Sequence, residues 1–389
     1  MATFEKHIAL SFGTGVGIGT VSTTSASYAE TTHPTYIYLD TTLYSGATYY
    51  FEAVLKTSAG TAYAQLYDTA GNAISGTEVS TASTTRVRVR SAAFTPSATG
   101  TYTVRIKNNG TNTTTYYKSS IVVIQSGSAI TATETRIPLI TSNTSTASAS
   151  YVDPSTIDWG FFRYTSANWD GTVAIYLEAT IKTTAGTGTV ALHDSSNVLV
   201  TNSECATTSA SYTRIRSSAI TLTNATDYKV RIKTSAGTVT MADAHLVIQQ
   251  TDNPTKTECY VPLNKTTQAA SATGGFIDLL MPTDYTSTNW VGDTITWYNE
   301  ASANSNTASG TFEIYKETDA ARLTGSNMAS TADSTITRYR SGTLTMPTSQ
   351  SVIARADSAA GTIYQSVTFM IAQMVWTNTT GGPIIFNFI

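Results

Sequence analysis

The sequence Ile-Val-Val-Ile-Gln at residues 121–125 recurs in related form at two later places in the chain. His-Leu-Val-Ile-Gln occupies residues 245–249 and Phe-Met-Ile-Ala-Gln occupies residues 369–373, so the closing glutamines are spaced by 124 residues in both intervals. A second element, Arg-x-Arg-Ser, begins at Arg88, Arg214 and Arg338. A period of about 125 residues is too long for a solenoid repeat and fits one small domain. The chain is therefore predicted to contain three tandem copies of one fold.

The limits of the copies follow from the residues after each closing glutamine. A glutamate arrives nine residues after Gln125 and again after Gln249, at Glu134 and Glu258, and each opens a short apolar strand, as Glu5 does at the start of the chain. We predict domains at residues 1–128, 129–252 and 253–389.

Composition restricts the class of protein. Charged residues make up only 13% of the chain, the net charge is −3, and apolar residues make up 41%. We therefore expect no nucleic-acid partner. No apolar run approaches the ~20 residues that span a bilayer, and the N-terminus lacks the pattern of a signal peptide, so we expect no membrane contact and no secretory leader. The two cysteines, Cys205 and Cys259, show no metal-binding spacing.

Alternation of apolar and polar residues predicts β-strands throughout. Tyr49, Phe51, Ala53 and Leu55 fall on one face of a strand, and a turn at residues 57–60 follows. About eight such strands occur in each copy, which suits a sandwich of two sheets. The predicted fold class is all-β.

Four short patterns in the first copy carry a family resemblance. They are Gly46-x-x-Tyr49-x-Phe51, then Leu66-x-Asp68, then a Thr-Arg-x-Arg strand, then Gly-Thr-Tyr-Thr-Val-Arg at residues 100–105. Their order resembles jelly-roll carbohydrate-binding modules and is similar to repeated β-sandwich domains of phage virion proteins. The resemblance implies three tandem jelly-roll-like β-sandwich domains, and it implies sugar binding less firmly than it implies architecture.

No arrangement of residues suggests catalysis. The four histidines fall at scattered repeat positions without a recurring nucleophile or carboxylate partner. Glu52, Glu178 and Glu300 do recur, but no second carboxylate accompanies them as glycoside hydrolysis requires. We predict that they pair with the recurrent arginines and that the protein is not an enzyme.

Recurrent aromatic residues are the candidate glycan contacts. The pattern that runs from Tyr164 to Trp169 returns between Tyr285 and Trp290, and Tyr44 takes the corresponding position in the first copy. A loop aromatic ring can stack on a sugar ring, so Tyr44, Trp169 and Trp290 are predicted contacts. The alternative is that these rings cap one end of each sandwich core.

Aspartates near strand ends raise the question of a metal ion. Asp40, Asp68, Asp170 and Asp194 could hold the structural calcium ion that the resemblance to carbohydrate-binding modules implies. Aspartates at turns more often bond to backbone amides. We therefore predict no dedicated metal site and no cofactor, and a structural calcium ion stays the alternative.

The C-terminal residues are strongly apolar and lie where a fourth copy would begin. The candidate assembly strand comprises Pro383, Ile384, Ile385, Phe386, Phe388 and Ile389. An exposed apolar strand promotes aggregation, so it must pair with something. It either completes the sheet of the third domain or adds to a sheet of a neighbouring subunit.

These observations together predict a structural protein on the surface of a phage virion, as a decoration, head-fibre or tail-associated protein. Its expected partners are other virion proteins of the capsid or tail and further copies of itself, with a host-surface glycan as an additional candidate. Two alternatives are a glycan-binding protein that is secreted or on the cell surface, and a subunit of an extracellular filament.

Overall fold

The computed structural model describes sixteen segments of the chain: residues 3–12, 21–30, 36–110, 112–126, 131–140, 143–154, 159–264, 268–271, 276–278, 283–287, 290–291, 293–305, 309–330, 333–358, 361–376 and 384–385. They form two compact units, Met1–Ile130 with Asn378–Ile389, and Thr131–Thr377. No helix among these segments is long and apolar enough to cross a membrane. The short 3-10 helices Thr41–Leu43 and Ser166–Asn168 lie between strands.

The first unit contains the first repeat. Its strands are β1 (Thr3–Phe12), β2 (Val21–Thr23), β3 (Ala29–Glu30), β4 (Ile37–Asp40), β5 (Thr48–Thr57), β6 (Ala62–Asp68), β7 (Val79–Thr81), β8 (Val87–Phe94), β9 (Thr99–Asn108) and β10 (Thr114–Ser126). One sheet has the order β1-β10-β5-β8, with β2 also on β10. The other has the order β3-β9-β6-β7, with β4 also on β9. Two antiparallel sheets connected in this order are a jelly roll, built from two Greek keys.

The second repeat uses the same strand order but runs its central strands through both sheets. Its strands are β11 (Thr133–Ile140), β12 (Thr144–Thr146), β13 (Phe162–Tyr164), β14 (Thr172–Asp194), β15 (Cys205–Thr207), β16 (Thr213–Arg216) and β17 (Thr226–Thr251). The N-terminal half of β14 pairs with β16 and its C-terminal half pairs with β15. Strand β17 pairs with β14 along nearly its whole length.

The third repeat lies with the second repeat in the second unit. Its strands are β18 (Lys256–Asn264), β19 (Gln268–Ser271), β20 (Ile277–Asp278), β21 (Thr283–Thr286), β22 (Trp290–Val291), β23 (Thr294–Ser305), β24 (Gly310–Lys316), β25 (Ala321–Arg322), β26 (Met328–Ser330), β27 (Asp333–Thr343), β28 (Ser349–Ser358) and β29 (Thr362–Val375). The two sheets have the orders β18-β29-β23-β27 and β20-β28-β24-β25, which again is the jelly-roll order. The last strand, β30 (Ile384–Ile385), belongs to neither of them.

The predicted alternation sets the core of the first repeat. Phe51, Ala53 and Leu55 are completely buried, and Tyr49 is 6% exposed. Glu52 on the opposite face of β5 is also buried, because β5 lies between β10 and β8 in the middle of its sheet. Both faces of a central jelly-roll strand are therefore covered.

The serine of the Arg-x-Arg-Ser element accepts a hydrogen bond from the backbone of the neighbouring strand. Ser91 Oγ accepts a hydrogen bond from the Phe51 N–H at 2.9 Å, and Ser217 Oγ does the same for Leu177 at 2.9 Å. In the first repeat this bond lies at a shift of register between β5 and β8. A bulge leaves a backbone group without its ladder partner, and the serine hydroxyl satisfies it.

The closing glutamines also bond within the fold. Gln249 lies opposite Glu134 in the β11–β17 ladder, and its Nε2 donates to Glu134 Oε2 at 2.8 Å. Gln373 and Glu258 repeat this pair at 2.7 Å. In the second and third repeats the closing glutamine therefore links the last strand of the sandwich to the first, whereas Gln125 Nε2 of the first repeat donates to the Ser45 carbonyl oxygen at 3.0 Å. The predicted all-β, jelly-roll fold class is confirmed, and the limits 1–128, 129–252 and 253–389 stay predictions.

Candidate functional site

The recurrent glutamates are the centres of buried ion-pair clusters. Glu52 is 1% exposed and accepts hydrogen bonds from Arg88 Nη2 and Arg90 Nε, both at 2.7 Å. Glu300 binds Arg338 in the same way. The predicted pairing of these glutamates with the recurrent arginines is therefore confirmed.

The cluster of the second repeat has an additional arginine that the sequence reasoning missed. Glu178 accepts hydrogen bonds from Arg214 Nε at 2.8 Å and Arg216 Nε at 2.5 Å, and Arg136 from β11 adds a third at 2.8 Å. Burial alone would raise the pKa of the Glu178 carboxyl, but the three guanidinium groups outweigh it and lower that pKa well below its usual range. Glu178 is thus a fixed anion, and a fixed anion is unsuited to proton transfer at neutral pH.

One position of the first strand supplies a different neighbour to each cluster. Two residues after Glu5, Glu134 and Glu258, the chain has His7, Arg136 and Tyr260 in turn. Because this residue changes from repeat to repeat, alignment of the three copies could not reveal it.

His7 of the first repeat lies beside a serine and a glutamate without forming a catalytic relay. His7 Nδ1 is 3.0 Å from Ser120 Oγ and 3.7 Å from Glu52 Oε1. In a catalytic triad one imidazole nitrogen faces the nucleophile and the other faces the carboxylate. Here a single nitrogen faces both groups, and all three side chains are buried.

Two of the three predicted glycan contacts, Tyr44 and Trp169, do not present exposed rings. Tyr44 is 2% exposed and Trp169 is 5% exposed, so each ring belongs to a core, as the alternative interpretation held. Stacking on a sugar needs an accessible ring face, and these two residues do not provide one. The side chain of Trp290 lies outside the described part of the structure, so its predicted role stays a prediction.

The loop that carries Trp169 joins the second repeat to the third. Asn168 Nδ2 donates to Glu258 Oε1 at 2.7 Å, and Glu258 lies in β18, the first strand of the third repeat. Asp170 Oδ1 accepts from the backbone N–H groups of Thr255 and Lys256 at 2.8 and 3.0 Å. These bonds cross from one repeat to the next. We call the region formed by Asn168, Asp170, Thr255, Lys256 and Glu258 the joint.

Apolar packing continues the joint. The Tyr260 ring lies 5.9 Å from Phe162 of the second repeat and 5.5 Å from Phe369 of the third, measured between ring centroids. Ser366 Oγ donates to the Trp159 carbonyl oxygen at 2.6 Å. Residues of both repeats therefore contribute to one hydrophobic cluster.

A cleft of about 980 Å³ opens between the same two repeats. The second repeat contributes Trp159, Phe161, Asp227 and Lys229, and the third contributes Arg338 and Tyr364. Trp159 and Phe161 pack edge to face with 5.1 Å between ring centroids, and Lys229 Nζ lies 4.7 Å from the centroid of Trp159. Sequence reasoning missed this cleft, because its two walls lie more than a hundred residues apart in the chain.

The aspartates considered for calcium bond to nearby backbone groups. Asp68 accepts from the Asn72 N–H at 2.8 Å and Asp194 from the Ser196 N–H at 2.9 Å, while Asp40 bonds to Thr42. Among the described residues, no group of three or more His, Cys, Asp or Glu side chains is placed to hold a metal ion. A structural calcium ion stays untested.

The candidate assembly strand is described only in part. Ile384 and Ile385 form β30, and Pro383, Phe386, Phe388 and Ile389 lie outside the described residues.

No protein-family model and no curated protein matches the chain. Among solved structures, it is similar to the tandem CBM22-1–CBM22-2 domain of Paenibacillus barcinonensis Xyn10C, with 9% identity over 63% of this chain and 98% of that one, at a TM-score of 0.21. It is also similar to a structure of the triple jelly-roll fold and turret assembly in an archaeal virus, with 12% identity over 97% of this chain and 91% of that one, at a TM-score of 0.19. A structure of infectious bursal disease virus, Gx strain, has 10% identity over 96% of this chain and 80% of that one, at a TM-score of 0.22.

These neighbours belong to the two groups that the resemblance named, carbohydrate-binding modules and jelly-roll virus proteins. Their TM-scores are too low to carry an argument, so the fold assignment rests on the strand order. The contacts described above hold each sandwich together or join two of them, which is consistent with a structural or binding role.

Proposed function

We propose that this chain is a non-enzymatic structural protein on the surface of a phage virion, as a decoration, head-fibre or tail-associated protein. The joint between the second and third repeats is the observation that carries the proposal. Domains connected by a linker usually move relative to each other unless their interface is apolar and well packed. Tyr260, Phe162 and Phe369 form such an interface, and Asn168 and Glu258 fix its register. A packed interface that holds two sandwiches together suits a mechanical role better than a catalytic one.

The C-terminal strand supports assembly as the second part of the proposal. The third repeat has the full set of jelly-roll strands in its two sheets without β30. We infer that the apolar residues 383–389 add to a sheet edge of a neighbouring subunit, since addition of a strand to a sheet edge is a common way for subunits to bind. The expected partners are further copies of the chain and other capsid or tail proteins.

The surface composition fits an exterior location. Net charge is low and polar groups are mostly hydroxyls and amides, so neither nucleic acid nor a charged membrane surface is an obvious partner. This favours the outside of a particle over its nucleic-acid-lined interior.

Light scattering over a range of protein concentrations tests the assembly part. We would compare the full chain with two variants. One ends at Thr380, and the other is full-length and carries Ile384→Thr and Ile385→Thr, which keep the strand length and β-propensity but remove the apolar surface. We expect the full chain to form oligomers and both variants to remain monomers. Equal monomers in all three samples would contradict assembly through the tail, and equal oligomers would place the assembly contact elsewhere.

A further inference from the structure

Glu258 places a buried carboxyl group at the joint, where three neutral side chains bond to it. The residue is 1% exposed. Asn168 Nδ2 of the second repeat and Gln373 Nε2 of the third donate to its Oε1, both at 2.7 Å, and the Tyr260 hydroxyl donates to its Oε2 at 2.5 Å. These donors satisfy the oxygen atoms, but a buried carboxylate also needs a cation to offset its charge.

The second repeat has a matched glutamate with two cations beside it. Glu134 takes the same place in β11 and is 4% exposed. Arg136 Nη2 lies 2.8 Å from Glu134 Oε1, and Arg216 Nη2 lies 3.6 Å from its Oε2. In the third repeat Tyr260 stands where Arg136 does in the second, so Glu258 lacks the nearer of these two cations.

The cations near Glu258 are shared with another buried carboxylate. Arg340 of β27 lies 3.9 Å from Glu258 Oε1, beyond hydrogen-bond distance, and 3.7 Å from Glu300 of β23. Glu300 is 2% exposed and also binds Arg338. The side chains that β29 and the 3-10 helix before Trp169 direct at Glu258 are the two neutral amides described above. The charge of an ionised Glu258 is therefore incompletely compensated.

The protonated form of Glu258 suits this environment better than the ionised form. Burial is the main cause that raises the pKa of Glu258, the Glu300 carboxylate also raises it, and the hydrogen bonds and Arg340 only partly offset this. The carboxyl group therefore binds a proton above its ordinary pKa of about 4.3. A proton on Oε2 can be donated to the Tyr260 oxygen, while Oε1 still accepts from both amides.

We propose that the joint is a pH-sensitive contact, which is tight when Glu258 is protonated and loosens when this group ionises. Ionisation places an incompletely compensated charge between Asn168 of the second repeat and Tyr260 of the third, and water that enters to solvate it separates the two surfaces. A carboxyl group whose pKa is raised by folding contributes stability that is complete below its ordinary pKa and is lost as the pH rises through the raised value. Acid therefore strengthens the joint, and the proposal does not depend on the virion role.

Infrared spectroscopy of the full chain tests for the buried proton. A protonated carboxyl group has a C=O stretching band that is separate from the bands of carboxylates and amides. We expect such a band to disappear as the pH is raised, with a midpoint above about 4.3, and Glu258→Gln to remove it. The spectra of the two proteins must be subtracted, because burial also raises the pKa of Glu313. Glu134→Gln, the matched change in the second repeat, should leave the band in place.

Hydrogen exchange measured by mass spectrometry tests the joint itself. Peptides that contain Thr255 and Lys256 report on the backbone N–H groups that bond to Asp170. Their protection, corrected for intrinsic exchange rates, should fall about tenfold or more between about pH 5 and about pH 8, since one unit of pKa corresponds to a factor of ten. Peptides of the first repeat are the internal control and should not change. In Glu258→Gln the protection of the joint should not depend on pH.

Three results would overturn the proposal. They are the lack of any band that Glu258→Gln removes, equal protection of the joint at both pH values in the full chain, and a fall in protection of the same size in the variant. If Glu258→Gln does not fold, Tyr260→Phe decides, because it keeps the ring and removes a hydrogen bond that lowers the pKa of Glu258. The midpoint of the band should then move to higher pH, and an unchanged midpoint would also contradict the proposal.

Discussion

Substitution of Gly160 by alanine tests the joint at the point where it is tightest. A Cβ atom at this position would lie 2.8 Å from Val367 Cβ, 2.9 Å from Val367 Cγ2 and 3.1 Å from Ser302 Oγ. Gly160 belongs to the second repeat and the other two residues to the third. Val367 is 1% exposed and β-branched, so its side chain cannot turn away without disturbing the core.

Overpacking of this kind costs about 1–3 kcal/mol. For a unit of the size of residues 131–377, each kcal/mol lowers the melting temperature by about 2–4 °C. Differential scanning calorimetry of the full chain should therefore show a lower transition for the second unit and an unchanged transition for the first. Gly342→Ala is the matched control, because a Cβ there meets nothing within 4 Å.

A double-mutant cycle with Val367→Ala makes the test specific. Val367→Ala alone leaves a cavity and destabilises the unit. In the double variant the new methyl group fills part of that cavity. The stability lost in the double variant should therefore be smaller than the sum of the two single losses by about 1 kcal/mol or more. Strict additivity, or a Gly160→Ala variant as stable as Gly342→Ala, would refute the close contact between the repeats.

Three further substitutions probe the buried carboxylates, each by chemical denaturation over a range of pH. Glu178→Gln should lower the free energy of unfolding by about 3–5 kcal/mol at pH 7, because it leaves buried arginines uncompensated. Since the pKa of Glu178 is lowered in the folded state, the stability that its carboxylate contributes is complete above its ordinary pKa of about 4.3 and is lost as the pH falls. The stability of the variant should therefore fall less steeply in acid than that of the wild type, and an equally steep fall would contradict this. Burial raises the pKa of Glu258, so ionisation of this carboxyl opposes folding. Glu258→Gln should therefore lower the free energy of unfolding less than Glu178→Gln does at neutral pH, and the loss should grow as the pH is lowered. A loss that shrinks in acid would contradict the raised pKa. Asn168→Ala should cost about 1.5–3 kcal/mol by removing a donor from that buried carboxylate, and a loss below about 0.5 kcal/mol would show that the bond does not hold the joint.

Sequence alone was sufficient for the architecture, because strand alternation and a repeat of about 125 residues are local signals that occur three times. The Glu–Arg clusters were also predictable, since Glu52, Glu178 and Glu300 recur together with the Arg-x-Arg-Ser elements. Each recurrence served as an independent copy of the same structural requirement.

The joint and the cleft could not be predicted in this way. Gly160, Tyr260 and Val367 do not recur, and their importance comes from contacts between repeats rather than from the pattern within one. Trp169 did recur, yet recurrence alone does not distinguish a core aromatic from an exposed one. Its neighbour Asn168 recurs as well, at Asn289, and the recurrence did not indicate that Asn168 bonds to the following repeat.

The location of the chain on a particle is the central claim, and it can be measured directly. Virus particles from cultures that produce this protein would be purified on a density gradient, assayed by mass spectrometry and labelled with an antibody for electron microscopy. The account predicts that the chain sediments with the particles and that intact particles bind the antibody on their outer surface. Absence of the chain from purified particles, or labelling only after disruption, would contradict it.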